Sequence, residues 1–203
     1  MPSTVCSIVL SAAAMGSPPA AQADSVEMAP QHYVKNTRDG WSLSIDIAGE
    51  RVNAVPNLAA ATNSREAFVT FSATATAAGG GAPITDSVFI AGYQLGCQSD
   101  VSSGLGVGGA GAFGGNASLT GMPAGAGGLT GFLQTTVQPG VIVDVPMANM
   151  ALNDGSAMLD VDNIHIKADA CGGDVTIRSY AYLRTSTSAA HSEFAIYGDP
   201  IKI

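Results

Sequence analysis

Apolar and polar residues alternate along much of this chain. Trp41–Ile47 (WSLSIDI) is apolar at every second position, the period of a half-buried strand. Ala67–Ala75 (AFVTFSATA) and Asp86–Gln98 (DSVFIAGYQLGCQ) read the same way, with the turn cluster Gly79–Pro83 between them. Further strands are predicted over Ala157–Ile166, Asp174–Ser186 and Glu193–Tyr197, and Asp169–Gly173 forms a tight turn carrying Cys171. Asn57–Glu66 has no clear period and reads as a turn or a short helix. Residues 24–40 are polar and mixed, as in a mobile leader. Few windows support a long amphipathic helix, so the predicted class is all-β.

The middle of the chain differs. Between Asp100 and Asp144 there is no Asp, Glu, Lys or Arg. In the first limb Leu105, Val107, Phe113 and Leu119 occupy odd positions, while Gly106, Gly108, Asn116, Ser118 and Thr120 occupy even ones. The return limb sets Leu129, Leu133 and Val137 against Thr130, Gln134 and Thr136, with Phe132 out of pattern. After Pro139-Gly140, Val141, Val143 and Val145 face one way and Ile142 and Asp144 the other. Thr120–Gly128, rich in turn residues, joins the limbs. Residues 101–145 thus read as a transmembrane β-hairpin stem, apolar toward lipid and small or polar toward a lumen. A limb of about 17 residues, at ~3.3 Å each and tilted near 40°, spans roughly 40 Å, enough to cross a bilayer. A lone hairpin in lipid would leave its edge N–H and C=O groups unsatisfied, so a spanning reading requires an oligomer that shares one barrel. A buried sandwich strand pair or a low-complexity surface segment is the competing reading of this pattern.

Composition narrows the choice. The formal net charge is −8, from 8 Lys+Arg against 16 Asp+Glu, which excludes a nucleic-acid partner because phosphate binding needs a basic surface. Charged residues are only 12% and hydrophobic residues 46%, so the chain has a core to bury and few charges to solvate it. Residues 1–23 read as a cleaved secretory signal, with an apolar core at Ser7–Ala14 and an A-x-A site at Ala21–Ala23, although no Lys or Arg precedes the core. A disordered N-terminus is the alternative. Of the three cysteines, Cys6 lies in that signal, leaving Cys97 and Cys171 as one structural disulfide of an exported chain. Closing a loop of about 75 residues stabilises by roughly 4 kcal/mol in the chain-entropy model. A metal pair or free thiols are the alternatives, and neither has His or Cys nearby at ligand spacing.

Catalytic and cofactor motifs are weak. Gly106–Gly111 spells G-x-G-x-x-G, but Ala112-Phe-Gly-Gly115 is a poor helix and the next acid is Asp144, so a dinucleotide turn lacks its partners. No G-x-S-x-G elbow occurs, and His32, His165 and His191 stand apart. His165 alternates with Ile164 and Ile166 and is expected to point to solvent or a lumen. Asp154, Asp160 and Asp162 could hold a cation, but a solvated acidic rim accounts for them better, since nothing matches a calcium loop. Asn116-Ala-Ser118 is a sequon that lumen-facing polar residues explain equally well. Neither an enzyme nor a cofactor is expected.

Several segments together resemble the MspA-like porins of the mycolic-acid-containing bacterial envelope. They are Gly92-Tyr-Gln-Leu-Gly-Cys97, Pro139-Gly-Val141, Val161-Asp-Asn-Ile-His-Ile-Lys167, Cys171-Gly-Gly-Asp-Val-Thr-Ile-Arg-Ser-Tyr180 and Tyr197-Gly-Asp-Pro-Ile201. The resemblance covers most of residues 40–203, in order. It implies a goblet-shaped homo-octamer in the outer membrane, with a β-sandwich rim domain over residues 41–100 and 146–203 and two strands per copy in a 16-stranded barrel. Such a barrel carries small hydrophilic solutes through a water-filled channel. The founding member has adjacent aspartates at the hairpin tip; Thr120–Gly128 has no acid, which puts a strong cation preference in doubt.

The expected pore-lining residues are therefore Asn116, Ser118, Thr120, Met122, Thr130, Gln134 and Asp144. The expected lipid-facing ones are Leu105, Val107, Phe113, Leu119, Leu133 and Val137. Asp144 and the acidic rim would supply the negative potential of a wide, weakly selective channel. The expected partners are copies of the chain itself, outer-membrane lipids and small hydrophilic solutes. The competing function is a secreted, envelope-anchored β-sandwich that binds or supports without making a pore. Conductance in a planar bilayer separates the two.

Overall fold

The computed structural model describes residues 25–98, 105–107, 135–137, 140 and 142–203. The period-two stretches form strands, and their apolar faces meet. In chain order the strands are β1 Ser25–Glu27, β2 Gln31–Asn36, β3 Trp41–Val55, β4 Arg65–Gly79, β5 Ile84–Cys97, β6 Leu105–Val107, β7 Thr135–Val137, β8 Ile142–Met150, β9 Ser156–Ala168, β10 Val175–Thr187, β11 His191–Tyr197 and β12 Ile201–Lys202. They make two antiparallel sheets. The first runs β1-β3-β4-β9-β6-β7, with β2 also paired to β3; the second runs β11-β10-β5-β8, with β12 also paired to β10. The class is all-β, as the alternation predicts.

Leu43, Ile45, Ala67, Val69, Phe71, Ala73, Leu159 and Val161 project from the first sheet. Phe89, Tyr93, Leu95, Val145, Ile177 and Leu183 meet them from the second. Each large side chain so buried contributes about 1.5–3 kcal/mol of hydrophobic stabilisation. Phe71 and Tyr93 meet edge-on across the core, with centroids 5.6 Å apart. One flank is closed where β2 meets β11: Tyr33 packs on Phe194 at 5.8 Å, and Lys35 Nζ donates to the Glu193 carbonyl at 2.7 Å.

Two bulges shift the inward positions. In β3 the register slips between Ala48 and Arg51, with Gly49 at φ 63°, a left-handed conformation suited to glycine. Inward residues are odd up to Ile47, then Glu50 and Val52. In β9 the slip falls between the partners of Val69 and Phe71, at Asn163 with φ 50°. Inward residues are odd up to Val161, then even at Ile166 and Ala168.

Several expectations are corrected. The leader assigned to residues 24–40 contains β1 and β2, both hydrogen-bonded to one edge of β3. Their polar sequence fits edge strands with little buried face, a pattern that period-two hydrophobicity does not detect. For Asn57–Glu66 the turn reading holds and the helix reading does not: the segment contains turns and enters β4 at Arg65. The stem boundary at Val145 lies too late, because Ile142–Val145 belong to β8, hydrogen-bonded to β5 in the sandwich. The signal segment 1–23 lies outside the described residues.

Candidate functional site at the foot of the hairpin

The hairpin is inserted between two strands that are neighbours. β5 ends at Cys97 and β8 begins at Ile142, with Gly96 opposite Ile142 and Leu95 opposite Val143. Between them the chain changes sheet. β6 and β7 pair with each other, Leu105 opposite Val137 and Val107 opposite Thr135, and β6 joins the first sheet through Val107 and Ala168 of β9. The chain thus leaves the second sheet, extends the first beyond β9, and returns to the second.

This foot is tied down covalently. Cys97, the last residue of β5, is bonded to Cys171 in the β9–β10 turn, with Cα atoms 5.8 Å apart. Both cysteines are buried, and Cys171 N–H donates to Asn63 C=O at 2.9 Å. The next residue continues the anchorage: Gln98 N–H donates to Asp174 C=O at 3.1 Å, and Gln98 Oε1 accepts from Asp174 N–H at 3.4 Å. Gly173 has φ 127°, and a Cβ there would stand 2.8 Å from Gln98 Oε1, so the turn needs glycine twice over. Lys202 Nζ donates to Asp174 Oδ2 at 2.5 Å, and that bond holds the Asp174 carboxyl below its ordinary range. Asp169 is raised by partial burial but lowered more by the Ser64 hydroxyl and by Lys167 at 2.9 Å, so it too lies below the ordinary range.

Asp144 stands two residues past the return of the chain. It lies in a row of polar groups across the outer face of the second sheet. Gln94 Nε2 donates to Asp144 Oδ1 at 2.6 Å, Arg178 Nε donates to Gln94 Oε1 at 2.6 Å, and the Arg178 guanidinium covers the Tyr197 ring at 4.7 Å. One amide thus relays between a carboxylate and a guanidinium on three adjacent strands. Tyr180 is buried beside the row, and its hydroxyl has no hydrogen-bond partner among the described residues. Burial, and then the Asp144 carboxylate, push that hydroxyl's pKa up.

The acids expected at the rim divide by position. Asp154 is exposed in the β8–β9 connection with φ 49°, followed by Gly155 at φ 77°, a two-residue turn closed by the Asn153–Ser156 bridge, with both central residues left-handed. Asp160 and Asp162 share the exposed face of β9, and Asp162 Oδ1 accepts from Thr70 at 3.1 Å. His165 is half-buried against Phe68, with centroids 5.0 Å apart, and lies 3.2 Å from Glu66 Oε2, so it is engaged with the sheet rather than free in solvent. Asn116, Ser118, Thr120, Met122, Thr130, Gln134, Phe113, Leu119 and Leu133 lie outside the described residues. Leu105, Val107 and Val137 are placed in strands; Cys97 and Cys171 are bonded to each other, and Asp144 stands opposite Gln94 of β5. Gln94, Arg178 and Tyr197 escaped the sequence reading, because only strand pairing brings residues 94, 144 and 178 alongside one another.

Among the described residues no group of three or more His, Cys, Asp or Glu is arranged to hold a metal ion. Among the described residues no helix is long and apolar enough to cross a membrane, which does not bear on crossing by strands.

The described residues define a two-sheet antiparallel sandwich with a charge-free segment inserted between its paired strands β5 and β8. A profile of the MspA family matches residues 39–202, and the chain belongs to that family. No curated protein matches it.

Proposed function

We propose that copies of this chain assemble in an outer membrane into a water-filled channel for passive diffusion of small hydrophilic solutes and ions. Membership of the MspA family supports a porin-type function. The observation that carries the reading is the insertion at the β5–β8 corner. A segment without a formal charge between Asp100 and Asp144 leaves and re-enters the sandwich at paired residues, with its first and last strands paired to each other. Such a hairpin satisfies its own inner edges only. In lipid its two outer edges require strands from other copies, which makes a closed oligomeric barrel the physical solution.

In this reading Leu105, Val107, Phe113, Leu119, Leu133 and Val137 face lipid. Asn116, Ser118, Thr120, Met122, Thr130 and Gln134 line the lumen, with Asp144 at the junction with the rim. Glycines opposite the lipid face carry no side chain, which widens the lumen and weakens the strand, so each hairpin leans on its neighbours. The test is conductance. Detergent-extracted protein added to a planar bilayer gives stepwise current increases; a folded, oligomeric preparation that gives none overturns the reading. End-on electron microscopy of the same particles gives the subunit number, for which the family resemblance implies eight.

A further inference from the structure

A buried acid inside the sandwich takes no part in the proposed channel. Glu50 is 2% exposed, and the β3 bulge turns it into the core. Its Oε1 accepts from the Tyr93 hydroxyl of β5 at 2.7 Å, and its Oε2 accepts from the Ser179 hydroxyl of β10 at 2.7 Å. Both donors are themselves fully buried. One carboxyl thereby joins the first sheet to two strands of the second. Two connecting segments converge there as well. Met28 N–H donates to the Glu50 carbonyl at 2.9 Å, and Gly198 N–H donates to the Ser179 carbonyl at 3.0 Å. A Cβ on Gly198 would stand 2.3 Å from Ser179 Oγ and 3.1 Å from Glu50 Oε2, so the cluster is closed over by a residue that must lack a side chain.

We propose that Glu50, Tyr93 and Ser179 form a proton-linked clamp between the two sheets. The groups facing Glu50 are the Tyr93 phenol from β5, the Ser179 hydroxyl from β10 and the Asp199 carboxylate from the β11–β12 connection; Arg51, next in sequence, is exposed. None of these facing groups is a cation. A carboxylate there is stabilised by two hydroxyl donors but not by an opposite charge, and burial is the larger effect, so the folded protein holds Glu50 above the ordinary carboxylate range. The linkage sign follows. A carboxyl raised by folding binds more protons in the folded than in the unfolded state, so the rim gains stability as pH falls through the folded value toward the ordinary one, and loses it as pH rises. On protonation the proton comes from water, and the two hydroxyls can reorient so that one accepts from the new O–H. This clamp does not depend on the channel reading.

The chain has four glutamates, at positions 27, 50, 66 and 193, so carbon-13 labelling of glutamate carboxyls resolves them individually. In the full chain, one signal is expected to titrate above the ordinary range near pH 4.3, and to vanish in Glu50→Gln. If that variant fails to fold, Glu27→Gln, Glu66→Gln and Glu193→Gln together make the assignment by exclusion, because the raised signal must persist in each. All four titrating in the ordinary range overturns the proposal. A second reading is denaturant unfolding followed through Trp41, the only tryptophan. Between the ordinary glutamate value and the raised folded one, the wild-type unfolding constant is expected to rise with pH, relative to Glu50→Gln, by up to about tenfold per pH unit, and to level off above the folded value. Parallel curves for the two proteins overturn it.

Discussion

Gly96 and Ile142 stand opposite each other across β5 and β8, although the whole charge-free segment lies between them in sequence. β5 and β8 therefore pair directly with each other across the residues that separate them in sequence. The ladder from Phe89–Met150 to Gly96–Ile142, the disulfide at Cys97 and the Gln98–Asp174 hydrogen bonds lie within the sandwich or at its lower edge.

Deleting Ser103–Val137 is expected to leave a folded, soluble sandwich and to abolish conductance. The remaining residues suffice for a short connection between paired strand ends, and loop length costs little. Circular dichroism and a cooperative melt check the fold, and bilayer recording checks the loss. A deletion variant that unfolds would show the hairpin to be part of the core.

Breaking the disulfide by Cys171→Ser is expected to destabilise the sandwich by roughly 4 kcal/mol, the chain-entropy value for a loop of this length. Denaturant unfolding under non-reducing conditions measures it. Reduction of the wild type should cost about the same, whereas the variant should be indifferent to reductant.

Gly92→Ala tests the β5–β8 junction above the foot. A Cβ at Gly92 would stand 2.1 Å from the Val145 carbonyl oxygen and 2.9 Å from Pro146 Cα, both backbone atoms that cannot swing aside. The expected cost is about 1–3 kcal/mol, the range for overpacking. Gly96→Ala is the control, since its nearest contact is an ordinary 4.0 Å. Equal losses in the two variants would contradict the close approach at Gly92.

Asp144→Asn separates selectivity from stability. The Gln94 amide can still donate to the new side-chain carbonyl, so the stability change is expected to be about 1 kcal/mol or less. In the channel reading the loss of one carboxylate per copy lowers cation preference. Reversal potentials in a salt gradient should move toward the anion side; strong anion selectivity in the wild type itself would contradict the acidic-entrance reading.

Tyr93→Phe removes one of the two donors to a buried carboxylate. An unmet buried acceptor costs about 1–3 kcal/mol. Because the phenol lowers the Glu50 pKa, its removal should shift proton uptake to still higher pH, and the stability loss should therefore be larger at neutral than at mildly acidic pH. A loss independent of pH would place the phenol's contribution in packing alone.

Much of the fold is legible in residue order. Trp41–Ile47, Ala67–Ala75 and Asp174–Ser186 alternate because one face of each strand is buried against the other sheet, and that demand is written locally, two residues at a time. The pairing of Cys97 with Cys171 follows from counting, once Cys6 is set aside. Residues 101–143 announce themselves by excluding charge. The sequence by itself thus determines an all-β chain with one cysteine pair and one apolar, glycine-rich insertion, and the packing of its strands as two sheets is seen only in the tertiary structure. Tertiary structure decides what depends on register and parity. The bulge at Ala48–Arg51 slips the alternation by one, so Glu50, which a continued odd count from Leu43 would place on the outer face, points into the core. Asn163 does the same for Ile166, β1 and β2 are strands because the β3 edge is there to pair them, and Asp144, Gln94 and Arg178 form a row because β8, β5 and β10 lie side by side. A period of two has no memory across a single inserted residue, and a polar edge strand has no period at all; both are settled only by the hydrogen-bonding partner alongside.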